Sequence, residues 1–200
     1  MKRRKFIYQT SAGIAAILIS NGVWAGSYRS DEWRSSKFST YSEGKFIVPV
    51  KKVTPDDGFY LHTFYDVCPW SPSARYLAVI KLPYQGKKPV WGDQAEVCVV
   101  DVQEERIKTV YTTKAWSFQL GANVQWGHLN DRFLYTNDII DGHAVCVRID
   151  LENNQITAFA GPKYDIAPDD LSVISPNLSN MNIHQYGYAI PDGPSGKPIP

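Results

Sequence analysis

Pro69-Trp70-Ser71-Pro72, followed by Arg75-Tyr76-Leu77-Ala78-Val79, is echoed downstream by Gln125-Trp126-Gly127, followed by Arg132-Phe133-Leu134-Tyr135. The two copies lie roughly 50 residues apart, at the upper end of the period that is typical of the blades of a β-propeller. Within each copy, a turn of small and polar residues separates two apolar or aromatic stretches, which is the pattern of a β-hairpin. The repeat therefore predicts an all-β fold.

A second matching stretch follows each copy, at residues 97–101 and 145–150, and both stretches end in aspartate. The distance from this aspartate to the next apolar stretch is the same in both copies, so the third and fourth strands keep their register. We predict four-stranded antiparallel blades near residues 65–114 and 118–160. The predicted strands are 67–70, 76–81, 96–102 and 107–112 in the first blade and 122–126, 132–137, 144–151 and 156–160 in the second.

A third copy is predicted to begin at residues 171–176, which align with residues 67–72, and it departs from the pattern at residues 180–188. The third blade, near residues 165–200, is therefore incomplete. A closed ring needs about four to eight blades, and only about two and a half are counted here. We expect residues 46–200 to be the N-terminal part of a larger propeller. On its own, such an open ring is expected to aggregate or to pair through its edge strands.

The first 25 residues have the composition of an export signal. A basic stretch at residues 2–5 precedes a short apolar stretch at residues 14–19, and the small-residue pattern ending at Ala25 predicts cleavage after it, with an uncleaved anchor as the alternative. The neighbouring Arg3 and Arg4 resemble a twin-arginine motif, and an ordinary Sec signal that holds two arginines is the alternative. We predict a periplasmic or secreted protein with no membrane span after cleavage, because the apolar stretch is too short to cross a bilayer.

Residues 26–45 are polar and rich in serine, and their lack of periodicity predicts a linker. Residues 46–50 and 59–64 are predicted to form short strands, separated by a turn at residues 55–58 that contains proline and glycine. One of these two strands is a candidate for the outer strand of a blade.

Composition excludes one class of partner and argues against a disulfide framework. The 200 residues include 21 Lys and Arg against 20 Asp and Glu, with no basic stripe beyond the N-terminus, so nucleic-acid binding is not predicted. The three cysteines, Cys68, Cys98 and Cys146, show no Cys-x-x-Cys spacing. Each is predicted to be a small apolar residue within a strand.

The strings at residues 69–78 and 97–101 resemble the repeat of TolB-type propellers, which oligogalacturonate lyases and the N-terminal propellers of prolyl oligopeptidase-like peptidases share. A group of uncharacterised bacterial propellers is also similar. In such blades, the resemblance implies that Trp70 and Trp126 pack between neighbouring sheets. The lyase resemblance implies a metal held by histidines from several blades, but no residue of this chain matches that ligand motif.

Candidate binding residues lie in loops and turns. The loop at residues 83–94 is long for a hairpin, and long loops on rigid scaffolds commonly carry binding sites, so Trp91 in this loop is a candidate. His128 and His143 lie in predicted turns, and His184 lies in the irregular third copy. These histidines have no metal-ligand spacing, and solvated imidazoles are the simpler interpretation.

Two functions from different classes follow. The leading hypothesis is a non-catalytic propeller that binds an oligosaccharide or another protein through loops such as residues 83–94. The alternative is a polysaccharide-degrading enzyme of the oligogalacturonate lyase type, dependent on a divalent cation such as manganese. Propellers host many unrelated activities, so the fold itself does not decide between them.

Overall fold

The described part of the chain is all-β, and its strands form antiparallel sheets, as the repeat predicts. The computed structural model describes residues 32–41, 44, 48–181, 185, 187–188, 190–197 and 199, and these residues contain no α-helix. The strands are β1 (Arg34–Ser35), β2 (Ser39–Thr40), β3 (Lys51–Lys52), β4 (Phe59–Leu61), β5 (Tyr76–Leu82), β6 (Ala95–Asp101), β7 (Arg106–Thr113), β8 (Gln125–Trp126), β9 (Phe133–Ile140), β10 (His143–Asp150), β11 (Gln155–Ala160), β12 (Asp165–Ile166) and β13 (Val173–Ile174).

The first sheet contains the first repeat and has the strand order β1-β7-β6-β5-β4. Successive side chains of a strand point to opposite faces, so alternate residues of β5 enter two different apolar clusters. Ala78 and Ile80 join a cluster that the second sheet shares, whereas Val79 packs with Cys98 and Phe38 on the other face. Both faces of this sheet are therefore covered, and β6 is buried at nearly every position.

The second sheet contains the second repeat and has the strand order β11-β10-β9-β8. Leu134 and Ile149 face the cluster that is shared with the first sheet. On the opposite face, Tyr135 and Cys146 pack against Ile166 of β12. The first sheet, the second sheet and the β12–β13 hairpin therefore pack one against the next in chain order.

Both sheets carry the same ion pair at the same place. Nη2 of Arg75 lies 2.8 Å from Oδ2 of Asp101, and Nη2 of Arg132 lies 2.6 Å from Oδ2 of Asp150. Each arginine precedes the second strand of its sheet, and each aspartate ends the third. We call each pair a staple. The carboxylates also accept hydrogen bonds from backbone amides of the following turn, those of Gln103 and Glu104 in the first sheet and of Glu152 and Asn153 in the second.

The β12–β13 hairpin repeats the first hairpin of the second sheet. The amide of Ala167 donates to the carbonyl of Ser172 at 2.9 Å, as the amide of Gly127 donates to the carbonyl of Phe133 at 2.9 Å. β12 therefore corresponds to β8, and β13 corresponds to β9. The predicted alignment of residues 171–176 with residues 67–72 is wrong in register, because residues 173–174 form the second strand of their unit and not the first.

The strand at the β4 edge of the first sheet is shorter and lies earlier in the chain than predicted. β4 pairs with the C-terminal end of β5, and Trp70 forms an isolated bridge with Leu77 near the N-terminal end. Residues 59–61 thus form the edge strand opposite β1, and most of the predicted strand at 67–70 is irregular. Between the two paired segments the chain turns toward the second sheet, where Oγ1 of Thr63 donates to the carbonyl of Val124 at 2.6 Å.

The predicted linker at residues 26–45 contributes an edge strand in its described part. β1 pairs with the start of β7, and Trp33 beside it stacks on Tyr76 at a centroid distance of 6.4 Å. The guanidinium of Arg106 lies 4.5 Å from the Trp33 ring centroid. Backbone pairing and one aromatic anchor hold this strand, so its sequence needs no apolar periodicity.

The two repeat tryptophans have different surroundings. Trp126 is only 3% exposed, stacks on Tyr76 between the sheets and donates from Nε1 to the carbonyl of Pro69 at 3.0 Å. Trp70 is 43% exposed. Cys98 and Cys146 are buried in their strands as predicted, but Cys68 is exposed and lies outside any strand.

Candidate functional site

The long loop at residues 83–94 is folded around the hydroxyl of Tyr84. This hydroxyl donates to the carboxylate of Asp93, and the amide of Val90 donates to the same hydroxyl at 3.2 Å. The buried Trp116 donates from Nε1 to the carbonyl of Asp93 at 3.0 Å, and its ring meets Tyr84 edge to face at 5.4 Å. These contacts anchor the loop to the apolar core.

An open cleft of about 230 Å³ lies at the root of this loop. Lys81 supplies its ammonium group, which lies 3.1 Å from Oδ2 of Asp57 and 5.6 Å from the ring centroid of Tyr60. Gly58 leaves room for the lysine stem, because a Cβ atom there would lie 2.5 Å from Cε of Lys81. The cleft is lined by Asp57, Gly58, Phe59, Lys81, Leu82, Pro83, Gln94 and Glu96.

The cleft holds fixed charges and fixed donors. Burial by itself raises the pKa of Asp57, but hydrogen bonds from Tyr60 and Lys81 outweigh it and bring that pKa below its ordinary value. Burial and the 2.8 Å hydrogen bond to Asp57 raise the pKa of Tyr60 well above its ordinary value. At neutral pH the cleft therefore presents the carboxylate of Asp57 beside the amino group of Lys81, and Tyr60, which does not line the cleft, stays a neutral donor to Asp57. This mixture of donors and acceptors suits a small polyhydroxylated ligand.

Trp91 lies in the predicted loop but does not line the cleft. It is partly buried and packs on an apolar cluster that contains Ile139 and Ala144 of the second sheet and Ile199 near the C-terminus. This contact holds the middle of the loop against the second sheet. The structure therefore gives Trp91 a packing contact and not an open ring face.

His128 and His143 lie at opposite ends of β9. The amide of His128 donates to Oδ1 of Asp170 at 2.8 Å, and its Nε2 lies 3.2 Å from the carbonyl oxygen of Ile166. His143 pairs with Ile140 beside the tight turn at the other end of the strand. An eight-residue strand spans roughly 25 Å, so the structure does not bring these two imidazoles together.

The remaining predicted site residues, His184, Arg3, Arg4 and Ala25, lie outside the described residues. Within the described part of the chain, no group of three or more His, Cys, Asp or Glu side chains is arranged to hold a metal ion. The same part contains no helix that is both long enough and apolar enough to cross a membrane.

An aromatic cluster lies beyond the end of β4, where the chain turns from the first sheet toward the second. We call it the Tyr65 patch, made of Phe64, Tyr65, Asp66, Tyr164 and Tyr188. Phe64 packs against Tyr65 at a centroid distance of 4.5 Å and meets Tyr188 edge to face at 5.4 Å. The hydroxyl of Tyr164 donates to Oδ2 of Asp66 at 3.0 Å. Tyr65 itself is 85% exposed.

Neither the cleft nor the Tyr65 patch is predicted by the local sequence pattern. Residues 59–64 were expected to form one strand, which would have placed alternate side chains on opposite faces. Tyr164 and Asp66 are 98 residues apart in the chain, so no local pattern predicts their contact. The available signal was the sequence Phe64-Tyr65-Asp66 in a segment without strand periodicity.

A buried lysine joins the second sheet to the β12–β13 hairpin. Lys163 is fully buried, and its Nζ donates to the carbonyl of Asn123 at 2.6 Å and to Oε1 of Gln125 at 3.4 Å. The Lys163 backbone is held as well, since its amide donates to Oδ1 of Asn137 at 2.8 Å. Burial lowers the pKa of Lys163 to about 8. The predicted site residues did not include it, and its role here is to connect units.

Comparison with known proteins adds no relative. No family model, curated protein or solved structure matches this chain. The resemblance to TolB-type repeats therefore stays a prediction.

Proposed function

We propose that this chain forms part of an exported β-propeller that acts as a carbohydrate-related module, binding a ligand or another protein. The proposal joins three parts: the propeller architecture, the destination and the binding site. Each part has its own support in the sequence or the structure.

The propeller part is supported by the repetition of contacts between units. Both sheets carry the Arg–Asp staple, and Trp126 fills the space between them. The turns are also linked from unit to unit, since the amide of Ser73 donates to Asp131 and the amide of His128 donates to Asp170. In a closed ring, the surface at Trp70 would be covered by a neighbouring blade, as the surface at Trp126 is.

The destination part is supported by the sequence of residues 1–25. The basic stretch, the short apolar stretch and the small-residue pattern before Gly26 are those of an export signal. Periplasmic or secreted propellers meet polysaccharides and other exported proteins, which is why both are retained as partners.

The binding part is carried by the cleft at the root of the loop at residues 83–94. Its volume of about 230 Å³ is close to the lower end for small-molecule sites. Lys81 and Asp57 are held in place by each other and by Tyr60, so the cleft is preformed. A preformed set of donors and acceptors reduces the entropy lost when a hydroxyl-rich ligand binds.

The cleft is tested by titrating the ¹⁵N-labelled protein with neutral and acidic monosaccharides and disaccharides and following the backbone amide signals. We expect the largest shifts at Leu82, Gln94 and Glu96. Lys81→Met should weaken binding by about tenfold, since a charge-assisted hydrogen bond is worth roughly 1.5–3 kcal/mol. Lys51→Met, at an exposed lysine outside the cleft, is the matched control.

Saturable shifts confined to the cleft support the proposal. If Lys51→Met weakens the shifts as much as Lys81→Met does, the proposal is contradicted. The enzyme hypothesis is tested on the same protein with pectic oligosaccharides, with and without manganese. Manganese-dependent release of unsaturated products would overturn the binding-module proposal.

A further inference from the structure

We infer that the Tyr65 patch is a second binding site and that it takes a neutral oligosaccharide. The inference rests on the proposed function only for the class of ligand. It concerns a different surface, since no residue of the patch lines the cleft.

The aromatic ring of Tyr65 is exposed and packs against one neighbouring ring. Tyr65 is 85% exposed, yet its ring packs against Phe64, which in turn meets Tyr188 edge to face. Packing on a second ring limits the orientations of Tyr65, so little side-chain entropy remains to be lost on binding. An exposed and preoriented ring offers a flat face for the C–H face of a pyranose.

Asp66 supplies hydrogen-bonding capacity beside the ring. Asp66 is exposed, and one of its oxygens accepts from the Tyr164 hydroxyl at 3.0 Å. An ionised carboxylate has about four acceptor positions and no donor, so Asp66 can accept further hydrogen bonds. The hydroxyl groups of a sugar can donate these hydrogen bonds to Asp66.

The negative charge of Asp66 favours a neutral sugar over an acidic one at the patch. Burial, the hydrogen bond to Asp66 and the charges of Asp66 and Asp165 together raise the pKa of Tyr164. Its hydroxyl therefore remains a neutral donor at neutral pH. The carboxylate of Asp66 lies within the patch, and it would repel a uronate group placed on Tyr65.

The patch is assembled from three separate segments. The first segment is residues 64–66, which follow β4. The second contributes Tyr164, just before β12, and the third contributes Tyr188, near the C-terminus. The burial of the sheets positions these segments. The site is therefore built by the fold and does not depend on one flexible loop.

The test is isothermal titration of the full chain with a neutral β-linked glucose pentasaccharide and with trigalacturonate. We expect saturable binding of the neutral sugar and weaker or no binding of trigalacturonate. Tyr65→Ala should weaken binding of the neutral sugar by about tenfold, which corresponds to one lost aromatic contact. Tyr65→Phe should stay within about twofold of the wild type, because the ring face is retained.

Leu171→Ala is the matched control, because Leu171 is also 85% exposed but lies in another turn. Circular dichroism of each variant confirms that it folds. Equal binding of the neutral sugar by wild type and Tyr65→Ala, tighter binding of trigalacturonate by the Lys81→Met variant, or no binding of the neutral sugar would each overturn the inference. Lys81→Met keeps the two sites distinguishable: it should weaken binding at the cleft by about tenfold and leave the Tyr65-dependent binding unchanged.

Discussion

At the scale of single residues, Lys163 is the most unusual group in the described chain. Its amino group is fully buried and donates to two neutral acceptors, the carbonyl of Asn123 and the amide oxygen of Gln125. Burial lowers its pKa to about 8, whereas an unfolded lysine titrates near 10.4. Between these two values the unfolded chain binds more protons than the folded chain. Lys163 therefore makes the folded state more stable as the pH rises through this window.

We predict that Lys163→Met removes this pH dependence. The free energy of unfolding of the wild type minus that of the variant should rise by about 2.5 kcal/mol between pH 8 and about 10.4, measured by urea unfolding. We compare the wild type with the variant because two buried thiols also titrate. Burial raises the pKa of Cys98 to about 12 and of Cys146 to about 11, so these thiols make the folded state less stable as the pH rises. A constant difference across the window would contradict the prediction.

At the scale of strands and turns, the two staples connect the second strand of each sheet to the turn after the third. The hydrogen bonds from Arg132 and from the turn amides outweigh partial burial and lower the pKa of Asp150 to about 2. The pKa of Asp101 is also lowered, since hydrogen bonds from Arg75, from Arg106 and from a turn amide outweigh its burial. An unfolded aspartate titrates near 3.9, so this stabilisation is complete above about pH 4 and is lost as the pH falls toward 2.

We predict that Asp150→Asn lowers the free energy of unfolding at pH 7 by roughly 1–3 kcal/mol, the usual value of hydrogen bonds to a charged group. Asparagine keeps an acceptor for the turn amides but loses the charge that faces Arg132. The variant should also lose part of the decrease in stability between pH 4 and pH 2, followed by thermal melts. Asp141→Asn, in an exposed turn of the same sheet, should change neither property. If both variants behave alike, the staple does not stabilise the sheet.

At the scale of the whole molecule, the described strands end in an exposed apolar edge. Among them, β13 pairs only with β12, and its residues Val173 and Ile174 are exposed. An exposed edge strand has unpaired backbone donors and acceptors along its free side, which are a template for pairing with another chain. Apolar side chains on that strand add a hydrophobic contribution of roughly 25 cal/mol per Å² buried.

We predict that the chain self-associates and that Ile174→Lys reduces this association, as measured by sedimentation velocity over a range of concentrations. A charge on the edge strand disfavours its burial against a second copy. Leu129→Lys is the matched control, because Leu129 is exposed to a similar extent but lies in a turn. A wild-type chain that sediments as a monomer at every concentration would contradict the prediction.

Much of the strand structure could be predicted from the sequence because its signals are local. Short runs rich in apolar, aromatic and β-branched residues mark β5, β9 and β10, and an aspartate and a glycine mark the turn between β9 and β10. The predicted bounds of these strands agree with the structure to within a few residues. The short edge strand β1 could not be predicted, because backbone pairing and the contacts of Trp33 hold it without an apolar pattern.

By itself, the sequence determined that the chain is all-β and that two units repeat, since side-chain alternation and turn chemistry act between near neighbours. Only the tertiary structure decided which residues meet. Trp70 and Trp126 have the same motif, yet only Trp126 is buried, because residues of the first sheet cover it. Tyr164 reaches Asp66 across 98 residues. Lys163 is buried for the same reason: packing between units joins segments that are distant in the chain, and no local pattern encodes such contacts.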